Sequence, residues 1–168
     1  MKVFIIAAIS ADGYIGLDES HRATSWTTTA DKKFFVRRTK EAGVVVMGRK
    51  TFDTFARPLK DRRLIIMSRD PAAVTVEGVE STNETPAELV ARLEKEGVAE
   101  LAVCGGSSVY AQFMESGMVT EVYLTIMPKF FGEGVPLFNT PQDKNLELIS
   151  SEVLDDQHSV LVHYKVTA

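Results

Sequence analysis

The sequence is poor in the residues that staple small proteins or hold metals. One cysteine in 168 residues excludes an intramolecular disulfide framework and any cysteine-rich metal centre. The three histidines, His21, His158 and His163, show no ligand spacing, so no metal is expected. No apolar run approaches the length that spans a bilayer. Nor is there a basic excess: 19 Lys and Arg face 23 Asp and Glu, a net charge of −4. That balance argues against nucleic acid or a membrane surface as a partner. The G-x-G-x-x-G dinucleotide fingerprint is missing, as are internal repeats, low-complexity tracts and linkers. A chain of this length is too short for two comfortable domains, so a single domain over 1–168 is expected.

What is present is a globular composition, 45% apolar and 25% charged. "KVFIIAAI" (2–9), "GVVVMG" (43–48), "RLIIMS" (63–68) and "ELAVCGG" (100–106) are near-continuous apolar runs, the pattern of strands covered on both faces. The opening "MKVFIIAAIS" superficially resembles a signal peptide. Its shortness, its Val and Ile content and the turn residues behind it read instead as a first buried strand, and a cytoplasmic protein is expected. Helices are expected at about 30–41, 50–55, 86–96 and 107–116. The third is the clearest: Thr85 caps it, Pro86 takes its first position, and Leu89, Val90 and Leu93 form its inner stripe. "TEVYLTIM" (120–127), "LELISSEVL" (146–154) and "HSVLVHYKV" (158–166) then read as strands, the last two joined through "DDQ" into an antiparallel hairpin. The expected fold is α/β: a central mixed, mainly parallel sheet, about four flanking helices and a C-terminal hairpin.

In such sheets ligands sit beyond the carboxyl ends of the strands, and four junctions there carry suitable chemistry. In "VCGGSSVY" (103–110) two glycines end a buried strand where a helix begins, so free N–H groups face a space without a Cβ, which suits a pyrophosphate. A Gly-Gly pair alone is more often just a turn. In "VVVMGRKTF" (44–52) and "IIMSRDP" (65–71) two further strand ends offer Arg49 and Lys50, then Ser68 and Arg69. Single cations at loop tips are usually just solvated; two sets at matched strand ends favour a nucleotide with a ribose 2′-phosphate. The long polar loop "ISADGYIGLDESHRATSW" (9–26) ends on Trp26, the single tryptophan. It reads either as a loop that closes over a ligand or as an aromatic stapled to the following helix.

With that loop, "SWTTTADKKFF" (25–35) makes the fourth junction and aims an acid along an apolar face. Thr28 or Thr29 caps the helix and Asp31 falls in its first turn, where the dipole favours negative charge. Phe34 and Phe35 follow at three and four residues, so all three share one face. Elsewhere, Arg38 is expected at a solvated surface, and Cys104 packed as a small apolar residue at a strand end.

Together these segments resemble the dihydrofolate reductase family. "IIAAIS", "DGYIG", a Trp five residues before Asp31, "VVMGRKTF", "RPLKDRRLIIMS", "VCGGSSVYAQF" and "VYLTIM" occur in the family's order over about 125 residues. The resemblance implies NADPH as cofactor and dihydrofolate as small-molecule substrate, with a monomer expected over a dimer. It places Asp31, Trp26, Thr125 and Tyr110 in the catalytic centre, Asp31 holding the pterin N3 and 2-amino group and Thr125 bonded to Asp31. Ile6, Ala7, Ala8, Phe35, Phe55, Arg57, Leu59 and Arg62 would line the substrate site, Arg62 gripping the glutamate α-carboxylate. Ala8, Ile15, Gly16, Gly48, Arg49, Lys50, Thr51, Ser68 and Arg69 would meet the cofactor, as would Cys104, Gly105, Gly106, Ser107, Ser108, Val109 and Tyr110. A cis peptide between Gly105 and Gly106 is also implied.

The chain departs from the family at Thr24-Ser25-Trp26, where Met-Pro-Trp or Leu-Pro-Trp is usual. It departs again at Thr29 in place of proline, and at Ser107 in place of a third glycine. "KFFGEGVPLF" (129–138), "SADGYIG" and the "SWTTTADKKFF" stretch are similar to the related reductase domains of riboflavin biosynthesis. The leading expectation is reduction of dihydrofolate. The alternative is an NADPH-dependent pyrimidine or pteridine reductase of the same fold, and a third reading is a non-catalytic nucleotide-binding module. Asp31 suits a pterin and Arg62 a glutamate tail, and a bare nucleotide binder needs neither.

Overall fold

The computed structural model describes residues 1–167. The strands are β1 (Lys2–Ser10), β2 (Tyr14–Gly16), β3 (Val44–Gly48), β4 (Arg63–Met67), β5 (Glu80–Thr82), β6 (Glu100–Val103), β7 (Glu121–Met127), β8 (Val135–Pro136), β9 (Asn145–Val153) and β10 (Val160–Thr167). The helices are α1 (Thr29–Ala42), α2 (Arg49–Asp53), α3 (Pro86–Lys95) and α4 (Ser107–Glu115), with single 3₁₀ turns at Ala23–Ser25 and Pro71–Ala73. Eight strands form one sheet in the order β5-β4-β3-β6-β1-β7-β10-β9. The first six are parallel, and β10 runs antiparallel to both β7 and β9. β2 and β8 pair separately.

The apolar runs become strands because alternate side chains can be buried on opposite faces. Val3, Ile5 and Ala7 of β1 join Leu89 and Leu93 of α3 and Val109 and Phe113 of α4 in one half of the core. Phe4 and Ile6 point the other way, into the half that holds Phe34 of α1 and Phe52 of α2. The β1 chain leaves through α1 to β3, beyond β6, and the β6 chain leaves through α4 to β7, beyond β1. Two adjacent strands thus send their chains to opposite faces of the sheet, α1 to one and α4 to the other, which leaves a crevice at their carboxyl ends.

The expected helices and principal strands are present, with ends shifted by a residue or two. The run at 100–106 stops being a strand at Val103, and the second helix covers 49–53 rather than 50–55. Three strands of two or three residues, β2, β5 and β8, are additions, too short to carry a readable period. Gly134 allows the close crossing of β2 and β8, since a Cβ there would collide with the Gly16 carbonyl oxygen.

Arg38 is a correction: it is buried rather than solvated. It lies four residues after Phe34, on the inward face of α1, and its guanidinium sits 3.9 Å above the Phe4 ring. Nη2 meets Glu100 at 2.7 Å. Helical position, not charge, decided its side. Arg38→Ala would leave Glu100 only its longer contact to Lys2 at 3.8 Å and open a hole over Phe4, so we expect a loss of about 2 kcal/mol. A urea melt with an unchanged slope checks this; a midpoint equal to wild type would mean the pair contributes nothing.

Candidate active site

The crevice is a continuous cleft of about 1640 Å³. Single small-ligand pockets run to roughly 1,000 Å³, so this one has room for two ligands side by side.

At one end stands Asp31. Thr28 caps α1, its hydroxyl accepting the Asp31 N–H at 3.2 Å, and the following turn carries the carboxylate to the cleft wall, 8% exposed. The two phenylalanines divide: Phe34 enters the core, while Phe35 lines the cleft beside Asp31. Ile6, Ala7, Met47, Phe55 and Leu59 continue that apolar wall. Burial raises the pKa of Asp31, and hydrogen bonding by the Thr125 and Thr27 hydroxyls offsets this in part. Thr125 itself is buried behind the acid, off the wall. A carboxylate held in an apolar pocket without a basic partner suits a ligand that brings its own donors and positive character.

Arg62 stands on the same wall. Nη1 donates to the Thr39 hydroxyl at 2.9 Å and Nε to the Lys60 carbonyl at 3.0 Å. Its neighbour Asp61 turns to Lys40 instead. Burial lowers the Arg62 pKa, with no ion pair to reverse it among the described residues. An oriented guanidinium without an acid suits an incoming carboxylate. Arg57 lies exposed nearby.

The other end of the cleft is built by the strand–helix turns. Gly105 takes φ +103°, and a Cβ on it would fall 3.2 Å from the Tyr110 hydroxyl. The Gly105–Gly106 peptide is cis, as the resemblance implies. The Tyr110 hydroxyl donates to the Ile6 carbonyl at 2.8 Å, and burial holds its pKa well above the usual value. The first turn of α4 then faces the cleft with Ser107, Ser108 and Val109, and the Ser107 hydroxyl is buried without a partner among the described residues. Free N–H groups, an unpartnered hydroxyl and bare glycines suit a pyrophosphate. Gly48, Arg49, Lys50 and Thr51 line the neighbouring turn, with Ser68 and Arg69 beyond. Arg49 is held by Asp53 at 2.8 Å and Lys50 by Glu19 at 2.6 Å. Burial also pushes the Cys104 thiol up, which keeps it protonated and apolar in character.

Comparison with known proteins decides the family. The dihydrofolate reductase family model matches residues 2–167. The chain belongs to the dihydrofolate reductase family. A relative from Escherichia coli, dihydrofolate reductase type A13, is 30% identical over 159 residues, covering 92% of this chain and 87% of that one. Dihydrofolate reductase from Enterococcus faecalis, solved in complex with NADP(H) and RAB-propyl, is similar in structure with a TM-score of 0.77. It is 24% identical, over 99% of this chain and 97% of that one. A pyrimidine reductase-like protein from Corynebacterium diphtheriae has a TM-score of 0.81 at 18% identity, over 99% and 92% of the two chains. At such identities these two structures speak for the fold alone. Membership of the family points to an oxidoreductase.

Of the residues implied by the family resemblance, the cleft gathers all but Thr125 and Trp26. Trp26 packs edge-on against Phe131 at 5.0 Å and stacks with His21 at 6.3 Å. It joins two loops rather than stapling α1, and its indole N–H is buried without an acceptor among the described residues. The wall also holds Thr27, Met47 and Asn83, which no motif singled out. Thr27 sits one residue before the cap, and only the turn into α1 reveals that it faces Asp31. Among the described residues no cluster of His, Cys, Asp or Glu could hold a metal, and no helix is long and apolar enough to cross a membrane.

Proposed function

We propose that the protein reduces 7,8-dihydrofolate to 5,6,7,8-tetrahydrofolate with NADPH. The observation that carries this reading is Asp31, a buried carboxylate without a cationic partner on an apolar wall, with the unpaired Arg62 on the same wall. When bound, NADPH supplies a hydride from nicotinamide C4 for pterin C6. The residues of the chain do the rest by placement. Asp31 accepts from the pterin N3 and 2-amino group, orienting the ring and making N5 easier to protonate by water. Phe35, Ile6 and Leu59 exclude other water from the ring. Arg62 takes the glutamate α-carboxylate. Tyr110, fixed on the Ile6 carbonyl, fills the floor where cofactor and substrate halves of the cleft meet. The α4 turn with Ser107 holds the pyrophosphate, and Arg49, Ser68 and Arg69 the 2′-phosphate. The site, the single-domain reading over 1–168 and a monomeric state belong to the same proposal.

NADPH oxidation, followed by absorbance, should be driven by dihydrofolate and not by a ribosylamino-pyrimidine phosphate. The reverse preference would transfer the protein to the riboflavin-type reaction. Cofactor choice gives a second check. Arg69 carries no acid partner among the described residues, whereas Arg49 is shared with Asp53, so Arg69 should dominate. Replacing both by alanine should weaken NADPH binding by roughly 10- to 100-fold, the equivalent of one or two charge-assisted bonds. NADH binding, measured by fluorescence quenching, should change little; equal losses would place the 2′-phosphate elsewhere.

A further inference from the structure

The first turn of α1, and with it Asp31, is tied to the turn between β9 and β10. There Asp156 Oδ1 accepts the backbone N–H groups of His158 and Ser159, each at 2.8 Å, and Oδ2 accepts the Ser159 hydroxyl at 2.5 Å. That hydroxyl has one proton, and a carboxylate is a better acceptor than the Met127 sulfur 3.8 Å away. In the 3.3 Å contact between Ser159 and Thr28, Ser159 can therefore only accept; Thr28, whose hydroxyl also helps hold the Asp156 carboxyl below its usual range, gives its proton to this pair. Its oxygen lone pairs remain for the Asp31 N–H. Every bond in this chain points toward Asp156, and its middle member, Ser159, is fully buried.

We infer that Asp156 is a positioning residue: through Ser159 and Thr28 it fixes the first turn of α1 and the direction in which Asp31 enters the cleft. The consequence for turnover rests on the pterin-anchoring role proposed above; the mechanical link does not. The groups that face Asp31 are Lys32 on its own helix, Asp156 from the hairpin, Tyr110 from α4, and the hydroxyls of Thr27 and Thr125. Asp156 is the anion among them, so its removal should make Asp31 ionise at lower pH.

The test compares wild type with Asp156→Ala, Asp156→Asn and Thr28→Ser, first as apoproteins by NMR. In Asp156→Ala, hydrogen exchange at the Asp31 amide should quicken by roughly five- to tenfold, as on loss of a helix cap. Thr28→Ser keeps the hydroxyl and should stay within about twofold of wild type. Both Asp156 variants should lower the Asp31 carboxyl titration, and Asp156→Asn, which retains an acceptor, should do so with less effect on exchange. With dihydrofolate and NADPH, Asp156→Ala should lower kcat more than it raises KM and move the pH profile down with Asp31. Unchanged exchange and titration in Asp156→Ala would overturn the inference, and the asparagine variant serves if the alanine one does not fold. NMR shifts in a protein that ignores dihydrofolate would uphold the link and overturn the proposed function.

Discussion

Asp31→Asn should cut dihydrofolate turnover by roughly 10²- to 10⁴-fold at pH 7, the range for loss of a group that governs proton transfer. The amide keeps the shape of the carboxyl and can still meet the pterin edge, but it lacks the charge that makes N5 basic. Substrate that is already protonated needs no such help, so the variant should regain activity as pH falls from 8 to 5. NADPH affinity, measured alongside, should hold. If Asp31 were only a first-turn acid answering the helix dipole, the change would cost roughly 0.3–1 kcal/mol of stability and leave the rate alone.

The same substitution should stabilise the apoprotein at neutral pH. Burial raises the folded-state pKa of Asp31, so between the unfolded and folded values the native state binds more protons than the unfolded one. Stability therefore falls as pH rises through that window, and the ionised acid is a burden above it. The neutral amide would carry no such burden. We expect a higher melting temperature for Asp31→Asn at pH 7 and convergence with wild type below the ordinary aspartate range. A stability gain with a loss of turnover marks a residue kept for ligand rather than for folding.

The parallel half of the sheet is legible because each of its strands must be apolar on both faces, and a run such as "GVVVMG" has few other uses. The side of each helix is less so. The spacing of four between Asp31 and Phe35 puts both on the cleft wall, while Phe34, one position earlier, turns into the core. Arg38 misleads because a guanidinium above Phe4 and against Glu100 obeys the same helical period as an apolar residue. Pairings between distant segments leave no trace in local pattern. Lys50 finds Glu19, 31 residues away, and Thr28 finds Ser159, 131 residues away. Only the folded chain shows that the basic end of the cleft is partly neutralised, or that the cap of α1 meets the hairpin. The Gly-Gly turn lies between these cases: its position is plain, but its ligand chemistry rests on Ser107 being buried without a partner among the described residues.

Arg62→Ala should raise the KM for dihydrofolate by roughly 30- to 150-fold, the lower part of the range for truncating one member of a partly buried charged pair. The guanidinium is held by Thr39 and Lys60 with no acid to neutralise it among the described residues, so it is set for an incoming carboxylate and loses little freedom on binding. The glutamate tail is remote from the atoms that react, and its contribution is the same in ground state and transition state. Thus kcat should stay within a few-fold of wild type while KM absorbs the change. Arg62→Lys restores charge without the planar fork and should recover part of the loss. Arg62 also braces Thr39, whose hydroxyl donates to the Phe35 carbonyl at 2.6 Å, so truncation could loosen the pterin wall as well. Dihydropteroate, which lacks the glutamate, separates the two effects. If Arg62 holds the tail, its KM is insensitive to the substitution; if both substrates suffer equally, Arg62 acts through Thr39 and Phe35 and the carboxylate is bound elsewhere.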